Sequence, residues 1–486
     1  MLRNWDVGLS ERIDPSRPQP VYMQIIQAVI RDIESGRLAA GSYLPSSREL
    51  ARMLRVNRKT VVLAYEDLIA QGWLATRGTR GTMVSASLPE PSARRRAKQA
   101  AESVDEAGFP FLPPPERPLA IAPGPGLKLD EGSPDGRLFP PEPLVRAYRA
   151  AAHRASAANG FQYRDPRGSP RLRTAIADML RGQRGLAVTA ENICITRGSQ
   201  NGIFLAGQAV LRPGDTVIVE ELTYEPAVAA FRALGAHVVP VGLDEGGIDV
   251  DEVAAACRKR TVRAIFVTPH HQFPTTVALK PERRLQLVEL SRQFGFAIVE
   301  DDYDHEFHFD HQPLLPIAAY APGQVLYVGS LSKLLLPALR IGYVAAPRAA
   351  IAGVAHRVSL TDGMGNTLTE DAAAELIENG ELRRHARKAR QVYAERRRNF
   401  AVEIDRVFGG RVNYRAPDGG LAFWLRFDAD LDRLEARAAA LGLRFAPSRS
   451  FMVREGAPRG LRFGFASLEP AELRAALEIL REAAGA

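Results

Sequence analysis

Seven short apolar runs, alternating with stretches of helical character, constrain the fold of this chain more than any other feature. They begin at Ile193, Thr216, His237, Ala264, Ala297, Val325 and Gly342. Runs of this kind are typical of strands buried on both faces, and strands that alternate with helices form mostly parallel sheets with crossover connections. The sequence therefore predicts an α/β unit around a mostly parallel central sheet. Ligands of such sheets bind beyond the carboxyl ends of the strands.

The regions on either side of this sheet differ from it in composition. Residues 87–121 are rich in proline and charge and have almost no periodic apolar face, which is typical of a linker. The basic cluster Arg94-Arg-Arg-Ala-Lys98 fits either solvated charges or a contact with a polyanion. After Pro347, Arg-rich helical sequence is followed by short apolar strands, which predicts a smaller α+β subdomain. The predicted division is a domain at 1–86, a linker at 87–121 and a domain at 122–486.

The first domain shows three short helical patterns. The first has an apolar stripe from Tyr22 to Ile33, the second begins at Ser46 with Glu49 completing a capping box, and the third begins at Asn57. Two β-prone segments, 73–76 and 82–85, then flank a Gly-rich turn. Three helices and a hairpin predict a winged helix-turn-helix.

Eight residues of this domain are candidate DNA contacts. They are Arg58, Lys59 and Thr60 at the start of the third helix, Ser46, Ser47 and Arg48 at the start of the second, and Arg77 and Arg80 in the hairpin. The start of a recognition helix enters the major groove, the serines and the arginine before it suit phosphate, and the hairpin suits the DNA backbone or minor groove. Taken singly, each basic residue also fits a solvated surface charge.

The composition is typical of a soluble globular protein, and the charge permits a polyanionic partner without requiring one. The 486 residues carry a net charge of +8, and residues 1–88 hold 12 basic against 8 acidic residues. The two cysteines, Cys194 and Cys257, are far apart and form no cluster with histidines, so the sequence predicts neither a disulfide framework nor a metal site. The polar start and the lack of a run of about 18 apolar residues predict a cytoplasmic protein with no membrane segment.

A lysine in a serine-rich turn is the main candidate for chemistry. The run that begins at Val325 leads into Ser330, Ser332 and Lys333, and Arg340 follows seven residues after the lysine. Serine hydroxyls and an arginine can hold a phosphate, while a desolvated lysine near other cations can form a Schiff base. A lone lysine after a strand is usually only a solvated charge, so the prediction depends on these neighbours.

Residues at the ends of other strands complete a constellation. Asp301 could keep a pyridine nitrogen protonated, with its own pKa lowered by that cation, and Tyr303 could donate to a ring oxygen. The turn Gly198-Ser199-Gln200 would present backbone N–H groups at a helix start as the second half of a phosphate cup. Tyr224 fits either a stacking contact with the ring or an aromatic lid over the core. Together these residues predict a site for pyridoxal 5'-phosphate (PLP).

From about residue 122 to its end the chain resembles the fold-type I aminotransferases, and as a whole it is similar to the MocR-like branch of the GntR transcription regulators. The resemblance rests on the segments 161–168, 197–200, 268–275, 300–303 and 329–340, and on the N-terminal segments 44–51, 56–68 and 78–82. It implies a PLP-binding regulator whose aminotransferase-like domain senses PLP, an amino compound or both, and modulates DNA binding. The alternative is an active aminotransferase with an accessory DNA-binding domain.

The resemblance also implies roles for single residues. Lys333 is the lysine that bonds to PLP, and Asp301, Tyr303, Ser330 and Arg340 hold the cofactor. Tyr163 matches a tyrosine that reaches the phosphate of a neighbouring subunit, which implies a homodimer. Arg462 matches an arginine that clamps the α-carboxylate of an amino acid, although it also fits an ordinary strand arginine. Two positions depart from the family pattern, since Thr276 stands where glycine is usual and His270 where serine is commoner.

Overall fold

The structure is a computed structural model, and it describes residue 9 and residues 12–78, 81–88, 109–110, 124–310 and 313–485. The chain divides into two compact units, Met1–Pro115 and Glu116–Ala486. The predicted linker at 87–121 lies almost wholly outside the described residues, so the two predicted boundaries stay predictions. Both cysteines are buried free thiols. None of the helices in the described ranges combines the length and apolar character that a membrane crossing requires.

The smaller unit is a winged helix-turn-helix, as the sequence predicts. Its elements are α1 Val21–Glu34, α2 Ser47–Leu54, α3 Arg58–Ala70, β1 Leu74–Thr76 and β2 Thr82–Val84, with the two strands antiparallel. The predicted capping box is present, because the Ser46 hydroxyl accepts from the Glu49 N–H and the Glu49 carboxylate accepts from the Ser46 N–H. Asn57 caps α3 by accepting from the Lys59 N–H at 2.8 Å. Local side-chain chemistry therefore fixes where both helices start.

A small apolar core holds this unit together. The stripes of α1 and α3 meet through Ile25, Val29, Val61 and Leu68, all fully buried. The hydroxyl of Tyr65 donates to the Pro45 carbonyl oxygen at 2.9 Å and ties α3 to the turn before α2. The starts of the two helices are thus held in a fixed relation.

The larger unit is built around the predicted central sheet. After a short strand β3 (Leu127–Lys128), its seven strands are β4 Ile193–Thr196, β5 Thr216–Glu220, β6 His237–Val241, β9 Val262–Val267, β10 Ala297–Asp302, β11 Val325–Ser330 and β12 Gly342–Ala345. Their order is β4-β12-β11-β10-β9-β5-β6. Strand β12 runs antiparallel to both of its neighbours, and the other pairs are parallel. A small hairpin, β7 Leu243–Asp244 and β8 Gly247–Ile248, follows β6.

Helices cover the sheet and continue into the smaller subdomain. In chain order they are α4 Pro141–Ala157, α5 Pro170–Arg184, α6 Ser199–Val210, α7 Glu225–Ala233, α8 Val250–Lys259, α9 Pro281–Phe294, α10 Ile317–Tyr320, α11 Arg348–Thr361, α12 Thr367–Glu378, α13 Glu381–Phe408, α14 Leu431–Ala440 and α15 Pro470–Ala484. The crossover helices pack apolar faces on the sheet, which explains why inner strands such as β5 and β11 are buried throughout, whereas the edge strand β6 is mostly half-buried.

The predicted α+β subdomain is also present. Its antiparallel sheet contains β13 Val412–Tyr414, β14 Ala422–Phe427 and β16 Leu461–Gly464, and Phe400 of α13 stacks on Phe423 with ring centroids 4.7 Å apart. A further strand, β15 Leu443–Arg444, pairs with β3. The segment that precedes the central sheet in the chain therefore belongs in space with the last part of the chain.

The turns after β4 and β11 come together because two glycines allow it. Gly342 lies opposite Ser330 in the register of β11 and β12. A Cβ atom at Gly342 would lie 2.5 Å from the carbonyl carbon of Gly198, so no side chain fits there. The first residues of α6 are thus held against the end of β11, where the predicted site residues lie.

Candidate functional site

Lys333 follows β11 in a tight turn and points into the protein. Its Nζ donates to the carbonyl oxygen of Gly132 at 2.8 Å. Desolvation lowers the pKa of Lys333 below its ordinary value, with Asp130 opposing the shift and Arg462 adding to it. A lysine whose ammonium form is destabilised is a better nucleophile at neutral pH. The lysine therefore has the environment that its predicted role requires.

Asp301, near the end of β10, is a buried carboxylate that needs a cation. It is 4% exposed, and its Oδ1 has no hydrogen-bond partner in the described part of the chain. Burial raises the pKa of Asp301 well above its ordinary value, and the nearby Asp302 and Asp304 raise it further, while Lys333 lowers it. The protein's own groups thus raise this pKa, and the predicted lowering applies to the carboxylate beside a bound cation. A protonated pyridine nitrogen would supply the missing donor and charge, so the site fits PLP.

The residues predicted to bind phosphate converge from three segments. Ser330 is buried, and the Ser332 hydroxyl is a buried oxygen without a partner among the described residues. Arg340 donates through Nη2 to the Arg197 carbonyl at 2.9 Å, and a Cβ at Gly198 would lie 3.0 Å from the same nitrogen. Gly198 has φ +81° and immediately precedes α6, so the helix start faces the guanidinium. Hydroxyls, an arginine and free backbone N–H groups are what a phosphate needs.

Tyr224 and Gln200 lie near the predicted phosphate-binding residues and make different side-chain contacts. Tyr224, at the start of α7, packs edge-on against Phe273 with ring centroids 5.2 Å apart. Burial raises the pKa of Tyr224, and the charges of Asp301 and Arg340 both act on it, so it lies between the two ends of the predicted cofactor site. Gln200 instead donates through Nε2 to the Pro226 carbonyl at 2.8 Å, which leaves its backbone N–H for the phosphate cup.

Tyr303 and Arg462 form a second pair on the other side of the site. The Tyr303 hydroxyl donates to the His271 carbonyl at 2.8 Å and accepts from Arg462 Nη2 at 3.3 Å. Arg462 is 1% exposed, donates through Nε to the Glu131 carbonyl at 2.9 Å and through Nη1 to the Pro274 carbonyl at 2.8 Å. Each of its terminal nitrogens keeps a further N–H, the pair that a carboxylate can engage. The ring-oxygen contact of Tyr303 and the clamp of Arg462 stay predictions.

Tyr163 does not line the site of its own chain. Its side chain is 91% exposed, and Phe161 beside it is 61% exposed. Exposed aromatic side chains close together are typical of contact surfaces. The predicted contact across subunits stays a prediction.

Some residues of the site could not be identified from patterns in the sequence. The acceptor for Lys333 is the backbone of Gly132, which no side-chain pattern indicates. Asp304 is 1% exposed, and its Oδ1 shares a hydrogen bond with His271 Nδ1 at 2.6 Å. Glu131, whose pKa is raised by burial against the opposing charges of Arg462 and Lys333, also faces the site. No motif reveals these residues, because they lie on segments far apart in the chain.

The candidate DNA contacts form an exposed face of the smaller unit. Arg58 donates through Nε to the Ser47 hydroxyl at 3.4 Å, so the starts of α2 and α3 meet. Ser46, Arg48, Arg58, Lys59 and Arg77 are exposed, and Ser47 and Thr60 are half-buried. Arg80 lies outside the described residues. Exposed basic and hydroxyl side chains around a recognition helix suit phosphate and base contacts.

Comparison with known proteins agrees with both halves of this description. Residues 125–480 match the family described as "Aminotransferase class I and II", and residues 21–84 match "Bacterial regulatory proteins, gntR family". The chain is 30% identical to the probable rhizopine catabolism regulatory protein MocR of Rhizobium meliloti, over 97% of this chain and 95% of that protein. It is 29% identical to the pyridoxine biosynthesis transcriptional regulator PdxR of Corynebacterium glutamicum, over 97% of each chain.

A solved structure shows the same fold in the larger unit. The α-aminoadipate aminotransferase LysN of Thermus thermophilus, solved with N-(5'-phosphopyridoxyl)-L-leucine, is similar with a TM-score of 0.68 and 27% identity, over 74% of this chain and 92% of that chain. The predicted fold class and cofactor are confirmed. The chain belongs to the aminotransferase class I and II family and, with its GntR domain, to the MocR-like branch of the PLP-dependent GntR transcription regulators.

Proposed function

We propose that this protein is a cytoplasmic transcription regulator that binds operator DNA through its winged helix and PLP through its aminotransferase-like domain, and that PLP or an amino compound modulates its DNA binding. The observation that carries the proposal is the buried Asp301 beside Lys333, whose Oδ1 has no hydrogen-bond partner among the described residues, in a chain that also has an exposed recognition helix. Bound PLP would supply a pyridinium ring that withdraws electrons and a phosphate that anchors it.

Different residues of the chain would hold different parts of the cofactor. Lys333 supplies the amine that bonds to it, and Asp301 keeps a proton on its ring nitrogen. The phosphate would be held by Ser330, Ser332, Arg340 and the backbone at Gly198, Ser199 and Gln200, with Tyr224 against the ring and Tyr303 near the ring oxygen. Asp301 and Ser330 are buried, which strengthens contacts to them, whereas Arg340 is exposed.

The effector is either PLP itself or a compound with an amino group and a carboxylate. PdxR, named for pyridoxine biosynthesis, supports the first class, and MocR, named for rhizopine catabolism, supports a small-molecule effector beyond PLP. Arg462 supports the second class, since its two further N–H groups can engage a carboxylate and its charge acts on Lys333. A ligand can shift DNA binding only through a difference in its affinity for two states of the protein.

An active aminotransferase is the second candidate function. It is favoured by the coexistence of a lysine with a lowered pKa, a pyridine-facing acid and a buried arginine for a carboxylate. Repeated turnovers that release keto acid from an amino donor would support it. A regulator requires no turnover.

The test uses full-length protein and DNA from upstream of its own gene, with fluorescence anisotropy at one physiological salt concentration. We expect saturable, sequence-selective binding whose dissociation constant changes about five-fold or more when PLP is added to the PLP-free protein. The Lys333→Ala variant should lose the visible absorbance of the bound cofactor and the response to PLP, with basal DNA affinity retained. Lys259→Ala, which changes an exposed lysine of α8, is the matched control.

Three outcomes would contradict parts of the proposal. Selective DNA binding whose affinity changes with neither PLP nor amino compounds would contradict the proposed sensing of these ligands. Unchanged visible absorbance in Lys333→Ala would refute the lysine assignment. Keto acid production with many turnovers and no selective DNA binding would establish the enzyme in place of the regulator.

A further inference from the structure

A cluster of imidazoles lies on the side of β10 that faces away from the predicted cofactor site. It contains His270, which follows β9, Asp302, which ends β10, and His305, and we call these three residues the histidine cluster. They are 4%, 3% and 5% exposed. Asp301 and Asp302 are consecutive in a strand, so their side chains point to opposite faces. The function proposed above therefore uses one face of this strand end and leaves the other unexplained.

The polar atoms of the histidine cluster face one another at contact distances. His270 Nδ1 lies 3.4 Å from Asp302 Oδ1, and His305 Nδ1 lies 3.1 Å from Asp302 Oδ2. Neither nitrogen makes a hydrogen bond of acceptable geometry within the described ranges, and Asp302 Oδ1 makes none either. One nitrogen from each ring and one carboxylate oxygen lie within 4.8 Å of one another. Buried polar atoms are nearly always paired, so this arrangement calls for a partner.

The tautomer of His270 identifies the kind of partner. Its Nε2 lies 2.6 Å from the Leu314 carbonyl oxygen, and a carbonyl can only accept, so Nε2 carries the proton. In the neutral ring, Nδ1 then presents a lone pair toward the lone pairs of Asp302 Oδ1. A histidine that donates one N–H to a backbone carbonyl and presents its other nitrogen to a cation is the usual arrangement of a metal ligand.

The distances also suit a metal ion. Zinc binds imidazole nitrogen at about 2.0–2.1 Å and carboxylate oxygen at about 2.0–2.2 Å, so two ligands of a tetrahedral site lie about 3.3–3.5 Å apart. The separation of His270 Nδ1 and Asp302 Oδ1 is 3.4 Å. Two imidazoles and one carboxylate favour zinc-like transition metals over Mg²⁺ or Ca²⁺, which prefer oxygen ligands.

Two buried arginines lie near the histidine cluster, and the guanidinium of one, Arg284, donates to the backbone carbonyl oxygens of Leu279, Leu315 and Pro269. Arg184 Nε lies 3.5 Å from Asp302 Oδ2, but Arg184 Nη2 is paired with Glu306 at 2.5 Å, which offsets its charge. The hydroxyl of Tyr327 donates to the same Oδ2. These contacts occupy one oxygen of the carboxylate and orient it, and they leave Oδ1 toward His270. Such outer contacts are what fix a ligating carboxylate in metal sites.

An ion could reach the histidine cluster from a neighbouring cavity. A cavity of about 830 Å³ is lined by His305 and His308, with Met179, Leu334 and Arg387 among its other walls. The Nε2 of His308 is a buried atom without a hydrogen-bond partner in the described residues, and its ring centroid lies 5.7 Å from that of His305. The cavity provides an access route, and a water molecule would complete the coordination.

We propose that His270, Asp302 and His305 bind one divalent transition-metal ion of the zinc class. The sequence predicts no metal site because the ligands come from two segments about thirty residues apart and include no cysteine. The ion would join the loop after β9, which continues to Phe273 beside the cofactor site, to the strand end that carries Asp301. It would act as a structural link beneath the site.

The test measures binding of Co²⁺, a coloured probe for zinc sites, to full-length protein that has been treated with a chelator. We expect one Co²⁺ per chain with the visible absorption of tetrahedral cobalt, and displacement of Co²⁺ by Zn²⁺. His270→Ala and the conservative Asp302→Asn should each weaken binding by about 100-fold or more, since even changes to the groups behind the ligands cost about 10–100-fold. His237→Ala changes an exposed histidine and should bind as the unmodified protein does.

Two results would overturn the assignment. The first is a chain that takes up no stoichiometric Co²⁺ or Zn²⁺, and the second is equal binding by His270→Ala and His237→Ala. If the cluster variants fail to fold, the unmodified protein still decides, because Zn²⁺ must raise its melting temperature and a chelator must reverse the rise. Lys333→Ala freed of PLP should bind the ion unchanged, so loss of cofactor binding and loss of metal binding are separable.

Discussion

At the scale of single residues, the sequence identifies groups whose side chains carry chemistry, and it misses those that act through the backbone or through burial. Lys333, Asp301 and Arg340 could be named from the sequence because lysine, acid and arginine follow strands in a recognisable pattern. The carbonyl of Gly132, which accepts from Lys333, has no such signal. In the protein alone, burial and two neighbouring acids raise the pKa of Asp301, and the lowering expected beside a bound cation stays a prediction.

Thr276 shows how a departure in sequence becomes strain in the structure. It has φ +65°, a conformation that costs a non-glycine residue about 1–2 kcal/mol. We expect Thr276→Gly to raise the free energy of unfolding by about 0.5–1 kcal/mol, because the strain relieved exceeds the extra entropy of glycine in the unfolded chain. Thermal unfolding compared with Thr276→Ala checks this, since alanine keeps the strain. Equal stability of the two variants would contradict the explanation.

At the scale of elements, apolar runs and helix caps predict where strands and helices lie. All seven strands of the central sheet were predicted, because each run is typical of a strand covered on both faces. The antiparallel direction of β12 was not, since an apolar run looks the same whichever way its neighbours point. The caps at Ser46 and Asn57 could be predicted because they depend only on local sequence.

Glu220, the last residue of β5, should make the stability of the folded protein depend on pH. Burial raises the pKa of Glu220 from 4.5 to about 8, and a hydrogen bond from Gln272 opposes the shift. Between these values the folded chain holds a proton that the unfolded chain releases, so stability falls as pH rises, by up to about 1.4 kcal/mol per pH unit. Glu220→Gln should lose less stability than the unmodified protein between about pH 6 and pH 8.

Melting temperatures at the two pH values measure the effect of Glu220→Gln. Burial also raises the pKa of Glu300 to about 7. Part of the loss of stability between about pH 6 and pH 8 therefore remains in Glu220→Gln. Identical falls in the variant and the unmodified protein would show that Glu220 is ionised in the folded state.

The start of α3 should carry the sequence preference of the smaller unit. Arg58 is exposed and its guanidinium contacts Ser47 of α2. We expect Arg58→Ala to weaken operator binding by about 1–3 kcal/mol and to reduce selectivity over unrelated DNA. Arg31→Ala, at an exposed position of α1, should change affinity much less. Equal losses on operator and unrelated DNA would reassign Arg58 to phosphate.

At the scale of the whole molecule, the sequence indicates two unrelated kinds of site in one chain, and the two compact units agree with that. The homodimer, in contrast, is inferred from the sequence only through the family resemblance. A tyrosine that is 91% exposed cannot serve a buried site of its own chain, so its predicted role requires a second copy. The residues that join two copies come from both, and no periodicity in one sequence reveals them.

Mixing two defective variants tests a shared site. If Tyr163 of one subunit completes the site of the other, a heterodimer of Tyr163→Ala and Lys333→Ala contains one site with both defects and one intact site. We expect visible cofactor absorbance to return when the two variants are refolded together at a concentration of PLP too low for Tyr163→Ala alone. Tyr320→Ala, at a side chain 46% exposed, is the control for Tyr163→Ala. No recovery would place Tyr163 outside the cofactor site.

The alternation of Asp301 and Asp302 in β10 also limits how this gene can vary. Because neighbouring residues of a strand point to opposite faces, a codon inserted or deleted upstream within residues 297–300 would exchange the two carboxylates between the faces. A single substitution in this segment changes one side chain on one face. An insertion or deletion of one residue would instead misplace both carboxylates at once. Length variation in this family branch should therefore be confined to turns such as that between β7 and β8, and the strand end should be inherited as a block of fixed length.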